Sequence, residues 1–494
     1  MRCLFLFATG WLLASPALAQ SLVSKPVSHP VRAELELGGM VSSTRQIPFW
    51  LRTNQFGMVP LEGPFATLRG SLQREYRTDT TATRKNRLQW GAGVYGAVNT
   101  GKTNSFVLPE AFAKVRYGKF EVYAGRRREV VGIGDTTFSS GFVVWSGNSL
   151  PVPKVQLHTP DYIPIGGFVK KLVAFRIGYA HGWFNAPYIQ GAYLHQKYIY
   201  GRFGKPHWKF KLYTGLNHQV QWGGHADYLI GTIYAVNGRL PSSFQDYLTL
   251  ILARYPKDRV NNQQSSFDGE NRIGNHIGSI DYALEWTGNR ARFLLYYQHL
   301  YEDASGVVLL NFPDGLWGLR YRNRPRQSNP RLRLHTALVE WLPTKNQSGP
   351  IFDQTAQYQG ADNYYNHGQY REGWSYFGRT IGTPFIMPRA DLSETVRQST
   401  GGGFFPNNRV NAWYLGLDGS VYGFQVQARA SYSRNFGNFT RPYALPFEQF
   451  SALLTAHHSL PRLANTQIGV SVALDRGGLL SRQTGAFLSV KKNW

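Results

Sequence analysis

Apolar and polar residues alternate from residue 33 to the carboxyl terminus, and no other feature of this 494-residue sequence narrows its fold as far. Successive side chains of a strand point to opposite faces, so a period of two marks a strand with one apolar and one polar face. Trp208, Phe210, Leu212 and Leu216 share one parity against Lys209, Lys211 and Gly215. Phe293, Leu295, Tyr297 and Tyr301 stand opposite Arg290, Arg292, Tyr296 and Gln298, and Leu332, Leu334 and Leu338 stand opposite Arg331, Arg333 and His335. Near the end, Phe424, Val426, Ala428, Ala430 and Tyr432 alternate with Gln425, Gln427, Arg429, Ser431 and Ser433. Ile468, Val470, Val472 and Leu474 do the same with Gln467, Gly469, Ser471 and Asp475. No long amphipathic helix competes; the one good helix candidate is 243–253, opened by Pro241-Ser242 and carrying Phe244, Tyr247, Leu248 and Ile251 on one face.

A soluble sandwich also alternates, so the last ten residues decide. Ala486, Leu488, Val490 and the terminal Trp494 share a parity, with Lys492 as the exception. This resembles the carboxyl-terminal insertion signal of bacterial outer-membrane barrels, which barrel-insertion machinery reads. Only a closed barrel satisfies every strand's backbone groups in hydrocarbon. Composition agrees: aromatics reach 15% and could form interfacial girdles, charged residues are only 17%, and no run after the amino terminus approaches the roughly 20 apolar residues of a spanning helix. Residues 1–19 read as a removed leader, with Arg2, an apolar run over 4–14 and Ala17-Leu18-Ala19 before Gln20. Cys3 is the sole cysteine, so the mature chain has none for a lipid anchor.

The fold expected is therefore all-β, one transmembrane antiparallel barrel over 20–494. At about 26 residues per strand it has about 18 strands. Three stretches without alternation, 133–167, 223–278 and 344–410, are too long for ordinary turns. They are expected to lie outside or fold into the lumen, occlude it, and hold any ligand.

The first of these stretches is recognisable. Phe138-Ser139-Ser140-Gly141, Trp145-Ser146-Gly147-Asn148-Ser149-Leu150-Pro151-Val152-Pro153-Lys154 and His158-Thr159-Pro160 resemble the central signature of the capsule-assembly Wzi family. In order along the chain, Pro48-Phe49-Trp50-Leu51, Ala180-His181-Gly182-Trp183-Phe184, Leu194-His195-Gln196-Lys197-Tyr198, Asn217-His218-Gln219, Leu240-Pro241-Ser242-Ser243-Phe244, Tyr301-Glu302-Asp303 and Asn366-His367-Gly368-Gln369-Tyr370 resemble its Bacteroidetes branch. The resemblance runs from about residue 34 to Trp494. It implies an 18-stranded outer-membrane barrel that acts as a lectin, attaching capsular polysaccharide or exopolysaccharide to the cell surface. Family members plugged by helices at the periplasmic end differ here, because no helix precedes the first strand-like run at 33–40; inward-folded loops are the substitute.

The net charge of +25, or +24 once Arg2 leaves with the leader, favours an acidic partner: surface polysaccharide or lipopolysaccharide phosphates, with nucleic acid set aside by compartment. Sugar recognition pairs flat apolar faces with planar hydrogen-bonding groups. On that basis the candidates are Arg126 in the Arg126-Arg127-Arg128 cluster, Trp145 with Asn148, Lys197, His218 with Trp222, and Asn366, His367, Tyr370, Arg371 and Trp374. No enzyme, metal or cofactor site is expected. Gly91, Gly93 and Gly96 formally match a nucleotide-loop pattern but lie in an alternating strand, and His457 and His458 point to opposite faces. The rivals are a diffusion porin for anionic solutes or sugars and, behind it, an outer-membrane hydrolase.

Overall fold

A computed structural model describes residues 31–76, 87–167, 171–254, 265, 267, 272–324, 331–351, 353, 358, 360–401, 403–460 and 462–494. The expected leader lies outside the described residues. Nineteen hydrogen-bonded segments form one antiparallel sheet; Lys154–His158 and Ile163–Pro164 pair in succession with the same neighbour and make a single wall strand, giving 18. They are β1 Val31–Ser42, β2 Phe65–Arg74, β3 Gln89–Gly101, β4 Ser105–Tyr117, β5 Phe120–Arg126, β6 Lys154–His158 with Ile163–Pro164, β7 Val173–Trp183, β8 Tyr193–Phe203 and β9 Phe210–Trp222. The wall continues with β10 Asn275–Thr287, β11 Ala291–Tyr301, β12 Gly315–Asn323, β13 Leu332–Pro343, β14 Val410–Val421, β15 Phe424–Gly437, β16 Pro442–Ser459, β17 Thr466–Gly477 and β18 Gln483–Asn493. Pairing of β1 with β18 closes the barrel, Leu37 opposite Val490.

Alternation sorts the side chains as the sequence requires. Leu37, Val41, Leu68, Leu72, Val94, Val98, Ile199, Leu216, Leu295, Val339, Leu415 and Val472 are exposed on the outer wall, an apolar band suited to hydrocarbon. Aromatics border it. Trp90, Phe203, Phe210, Phe293 and Trp494 mark the end that holds both termini of the described chain, Val31 and Trp494, and Trp183, Trp222, Tyr297, Trp317, Trp341 and Trp413 mark the other. Along β11–β14 the second girdle is continuous, with Tyr297 and Trp317 stacked at 3.9 Å between centroids and Trp341 and Trp413 at 5.7 Å.

The inner face carries charge, and several of its groups are paired. Arg69 donates to Glu36 on the adjoining strand at 3.2 Å, and Lys211 reaches Glu285 at 2.7 Å from directly opposite register. Lys491 pairs with Glu34, and buried Lys154 meets Glu129 and Gln196. Breaking one such pair is costly because it leaves a buried charge uncompensated.

Connections at the termini's end are mostly tight, such as 118–119, 288–290 and 422–423, whereas the opposite end bears the long ones. The first long stretch is shorter than expected, since 154–164 forms β6 in the wall rather than a loop. Residues 127–153 and described parts of 344–409, among them 374–387, fold inward and block the lumen. Their grip on the wall is polar and runs from β10 to β14. The Ile133 amide donates to Asp281 of β10 at 2.8 Å, and Gln298 of β11 receives the Val143 amide and donates to the Ile133 carbonyl. Glu340 of β13 accepts from the Ser140 amide at 2.7 Å, the Ser139 hydroxyl and Tyr296, while Tyr414 of β14 donates to the Phe138 carbonyl. From the first loop, the Trp50 indole donates to Ser431 of β15, and the Phe49 amide to Asp475 of β17. Phe142, Val143, Val144, Trp145, Trp374, Phe385 and Ile386 form an apolar plug core held on these points.

The second stretch, 223–278, departs from expectation in its helix. Helix α1, Phe244–Ile251, lies neither in the lumen nor above it but against the outside of the wall, where Tyr247 stacks on outward-facing Trp222 at 5.2 Å. Ser243 and Asp246 close its amino end in a reciprocal capping box, and the Lys197 ammonium at the other end donates to the Ile251 carbonyl.

Packing of this kind predicts a barrel that conducts poorly in planar-bilayer recordings. Glu340→Ala leaves the Ser139 hydroxyl, the Ser140 amide and the Tyr296 hydroxyl without their acceptor, at about 1–3 kcal/mol each. That variant should show intermittent openings and a lower unfolding temperature; large steady conductance in the unaltered protein would contradict a filled lumen.

Candidate functional site

At the long-loop end, outside the plug, four connections converge on a cleft of about 860 Å³. The β9–β10 connection brings Phe267 and Arg272, the β11–β12 connection Glu302 and Asp303, and the β15–β16 turn Asn438 and Arg441. The β13–β14 connection brings Asp362, Asn363, Asn366, His367, Arg371, Phe404 and Phe405. The result is three guanidinium groups, three amides, an acidic side and an aromatic side.

Local bonding makes the loop walls rigid. Asn366 donates to Asn363 and to the Phe405 carbonyl, both at 2.9 Å, and accepts from the Phe405 amide, tying two turns of one long loop together. Asn408 bonds Asn363 and the Tyr364 carbonyl from beneath. The Tyr365 amide donates to Glu302 at 2.7 Å, joining that loop to the β11–β12 connection. Arg371 lies over the Tyr228 ring at 4.8 Å and remains exposed at its far end.

The acidic side is electrostatically strained. Burial, reinforced by Asp362 and Asp303, pushes the Glu302 carboxyl up to about 8, and burial with Asp303 beside it pushes Asp362 up to about 7. Burial pulls His367 down to about 4, so its imidazole is neutral and can donate or accept. Among the described residues, no three His, Cys, Asp or Glu side chains converge as a metal-ligand set.

Of the eleven residues expected from sequence, Asn366, His367 and Arg371 line this cleft. The others do not, for identifiable reasons. Trp145 and Trp374 are plug core; Trp374 is fully buried, with its indole donating to the Val144 carbonyl at 2.7 Å. Asn148 is consumed by the Thr380 carbonyl and the Asn54 amide. Tyr370 is buried and donates to the Gly223 carbonyl, and Arg126 ends β5 beside the Tyr376 hydroxyl at 3.4 Å. Lys197, His218 and Trp222 face outward under helix α1, since Ile199 and Leu216 on the same parities belong to the lipid band. Arg272, Asn438, Arg441, Phe404 and the acidic pair were not singled out. They come from separate loops with no local pattern, although Glu302-Asp303 stands within a stretch that carries the family resemblance.

Two outcomes follow from this geometry. Trp374→Ala should cost about 3–5 kcal/mol of stability, as expected for deleting a fully buried indole, and thermal unfolding in detergent measures it. The unfolded carboxyls titrate near 4.5 and 3.8, below their folded values, so the stability they contribute is fully present at low pH and is lost as pH rises through about 7 to 8. The unfolding temperature should therefore be lower at about pH 9 than at about pH 6, with a smaller difference in Glu302→Gln/Asp362→Asn; equal slopes in both proteins would show these carboxyls are not the cause.

Comparison with known proteins adds a family. No curated protein sequence matches. The family model described as capsule assembly protein Wzi matches residues 51–386. Among solved structures, Wzi of Escherichia coli, described as an outer membrane protein involved in group 1 capsule assembly and a carbohydrate-binding β-barrel, aligns at 14% identity with a TM-score of 0.56, covering 92% of this chain and 83% of that one. OprD of Pseudomonas aeruginosa aligns at 11% identity with a TM-score of 0.42 over 94% of each chain, and OccK3 of the same organism at 10% with 0.44 over 94% and 95%. Scores that low carry no argument about function. With more than half its length matched by the family model and the barrel to go with it, this chain belongs to the capsule assembly Wzi family of outer-membrane proteins.

Proposed function

We propose that the protein is a surface lectin: it holds capsular or other exported polysaccharide on the outer face of the outer membrane and performs no chemistry on it. The observation that carries this reading is the cleft at the outer end of a filled barrel. Guanidinium groups of Arg272, Arg371 and Arg441 suit carboxylate or other anionic substituents, amides of Asn363 and Asn438 suit sugar hydroxyls, and Phe267 and Phe404 offer flat apolar faces. The relative with a carbohydrate-binding description has the same architecture, which supports the class of ligand. A porin needs an open lumen, and the packed plug disfavours that rival.

The finer features belong to the same proposal. Residues 1–19 are a removed leader and 20–494 one barrel; Trp494 presents the terminal strand to barrel-insertion machinery; the outer wall meets membrane lipid and lipopolysaccharide. No hydrolase is proposed, because the reading requires retention of polymer rather than cleavage.

The test uses polysaccharide extracted from the producing cells, with purified protein immobilised in detergent. Replacing Arg371 and Arg441 by Ser removes two exposed guanidinium groups without touching the plug. If each charged hydrogen bond contributes about 1.5 kcal/mol, affinity should fall about a hundredfold. In cells, the same variant should release polymer into the medium with total polymer unchanged. Loss of total polymer in a complete deletion would mean export rather than retention, and unaltered binding by the double variant would remove the cleft from consideration.

A further inference from the structure

Helix α1 is apolar on two adjoining flanks, and the wall uses only one of them. Tyr247 and Leu250 pack against Tyr193, Val220 and Trp222. Phe244, Leu248 and Leu252, spaced by four and so on a single stripe, face away from the protein; Phe244 is 75% exposed and Leu252 59%. Gln245, Asp246 and Thr249 make up the remaining edge.

The height of the helix on the wall is fixed by three contacts. The Lys197 ammonium donates to its last carbonyl region at Ile251, Tyr247 lies beside His195, and the Tyr179 hydroxyl bonds the Tyr247 hydroxyl at 2.9 Å. The next outward position below Lys197 on β8 is Ile199, and the next below His218 on β9 is Leu216, both exposed members of the apolar band. The stripe on the helix is thus continuous with the surface that the barrel presents to hydrocarbon. The neighbouring connection repeats the arrangement. Val307, Val308, Leu310 and Phe312 are exposed, and Phe312 folds out edge-on against girdle residues Tyr297 and Trp317, with centroids 6.2 and 6.0 Å away.

We infer that helix α1 lies in the outer leaflet of the membrane, lodging Phe244, Leu248 and Leu252 among lipid acyl chains while its polar edge faces the headgroups. An amphipathic helix binds a bilayer in this orientation, and the barrel here sets its depth in advance. Exposed Arg254 just past the helix suits lipid phosphates. The anchor adjoins the cleft, because cleft-lining Arg272 donates to the Ala253 carbonyl at 2.8 Å, and cleft-lining His276 meets His218 beneath the helix at 2.9 Å. Lipid contact therefore bears on one wall of the proposed polymer site, but the inference does not depend on what that site binds.

Single cysteines test it in the full-length barrel, in a Cys3→Ser background. Leu248→Cys, Phe244→Cys and, as the polar-edge control, Gln245→Cys are labelled with an environment-sensitive nitrobenzoxadiazole and reconstituted in phosphatidylcholine and phosphatidylglycerol vesicles. Heat-modifiable migration establishes that each variant is folded. Quenching by acyl-chain nitroxide relative to an aqueous quencher should exceed one at positions 244 and 248 and fall below one at 245, with blue-shifted emission at the first two. Equal aqueous quenching at all three positions would overturn the inference. So would efficient bismaleimide cross-linking of Leu248→Cys between two copies, which would make the stripe a protein interface instead.

Discussion

Backbone closure in hydrocarbon is the constraint on which the remainder of this molecule rests. A strand edge left open among acyl chains strands donors and acceptors that no water can reach, at several kcal/mol for each group. The chain meets this by bringing its two ends together: β1 pairs with β18, and Ala33 exchanges backbone hydrogen bonds with Trp494 at 3.3 and 2.9 Å. Trp494, 62% exposed, then sits at the seam in the girdle of the termini's end. Closure in turn commits half of every strand to lipid and the other half to an enclosed interior, and that is the origin of the period of two.

An interior of this width has to be filled or left wet, and here it is filled by backbone rather than by side chains of the wall alone. The wall supplies fixed acceptors, Asp281, Glu340 and Asp475, each placed to receive amide donors that a folded-in loop cannot satisfy itself. Buried carboxylates used in this way specify one arrangement of the plug, because any shift leaves both the acid and the amide unpaired. The inner ion pairs play the matching role between strands. Arg69 with Glu36 and Lys211 with Glu285 neutralise one another and hold register, whereas Arg371 and Arg441 stay exposed at the outer rim.

Strand parity was legible because lipid reads every second residue: Phe210, Leu212 and Leu216 are all exposed on the outer wall, as their alternation requires, with Trp208 exposed in the turn just before them. The filling of the lumen by loops was legible from their length. The direction taken by each loop was not. An indole next to amides looks the same whether its donor ends on a sugar hydroxyl or, as in Trp374, on the Val144 carbonyl. Trp222 and His218 could be placed on a strand end, but nothing local says that a helix from the following loop will return to cover them from outside. Asn366, His367 and Arg371 were found because they are close in sequence, whereas Arg272 and Arg441 join them only through closure of the barrel.

A second chamber shows what the plug does to transport. Beneath it, at the end with the tight turns, a cavity of about 1250 Å³ is lined by Arg176, Arg292, Arg322 and Arg429 among others, and Phe138 and Phe142 of the plug form its roof. Joining this chamber to the outer cleft would require breaking contacts on opposite sides of the wall, from Asp281 on β10 to Asp475 on β17. The two chambers are therefore separate, and the proposed polymer site is reached from outside. The frame suits that task. The β13–β14 connection is braced internally by Asn366 and Asn408 and tied to the β11–β12 connection by the Tyr365 amide on Glu302 and to the β9–β10 connection by the Tyr228 hydroxyl on the Gln369 carbonyl, so little chain entropy remains to be lost on binding.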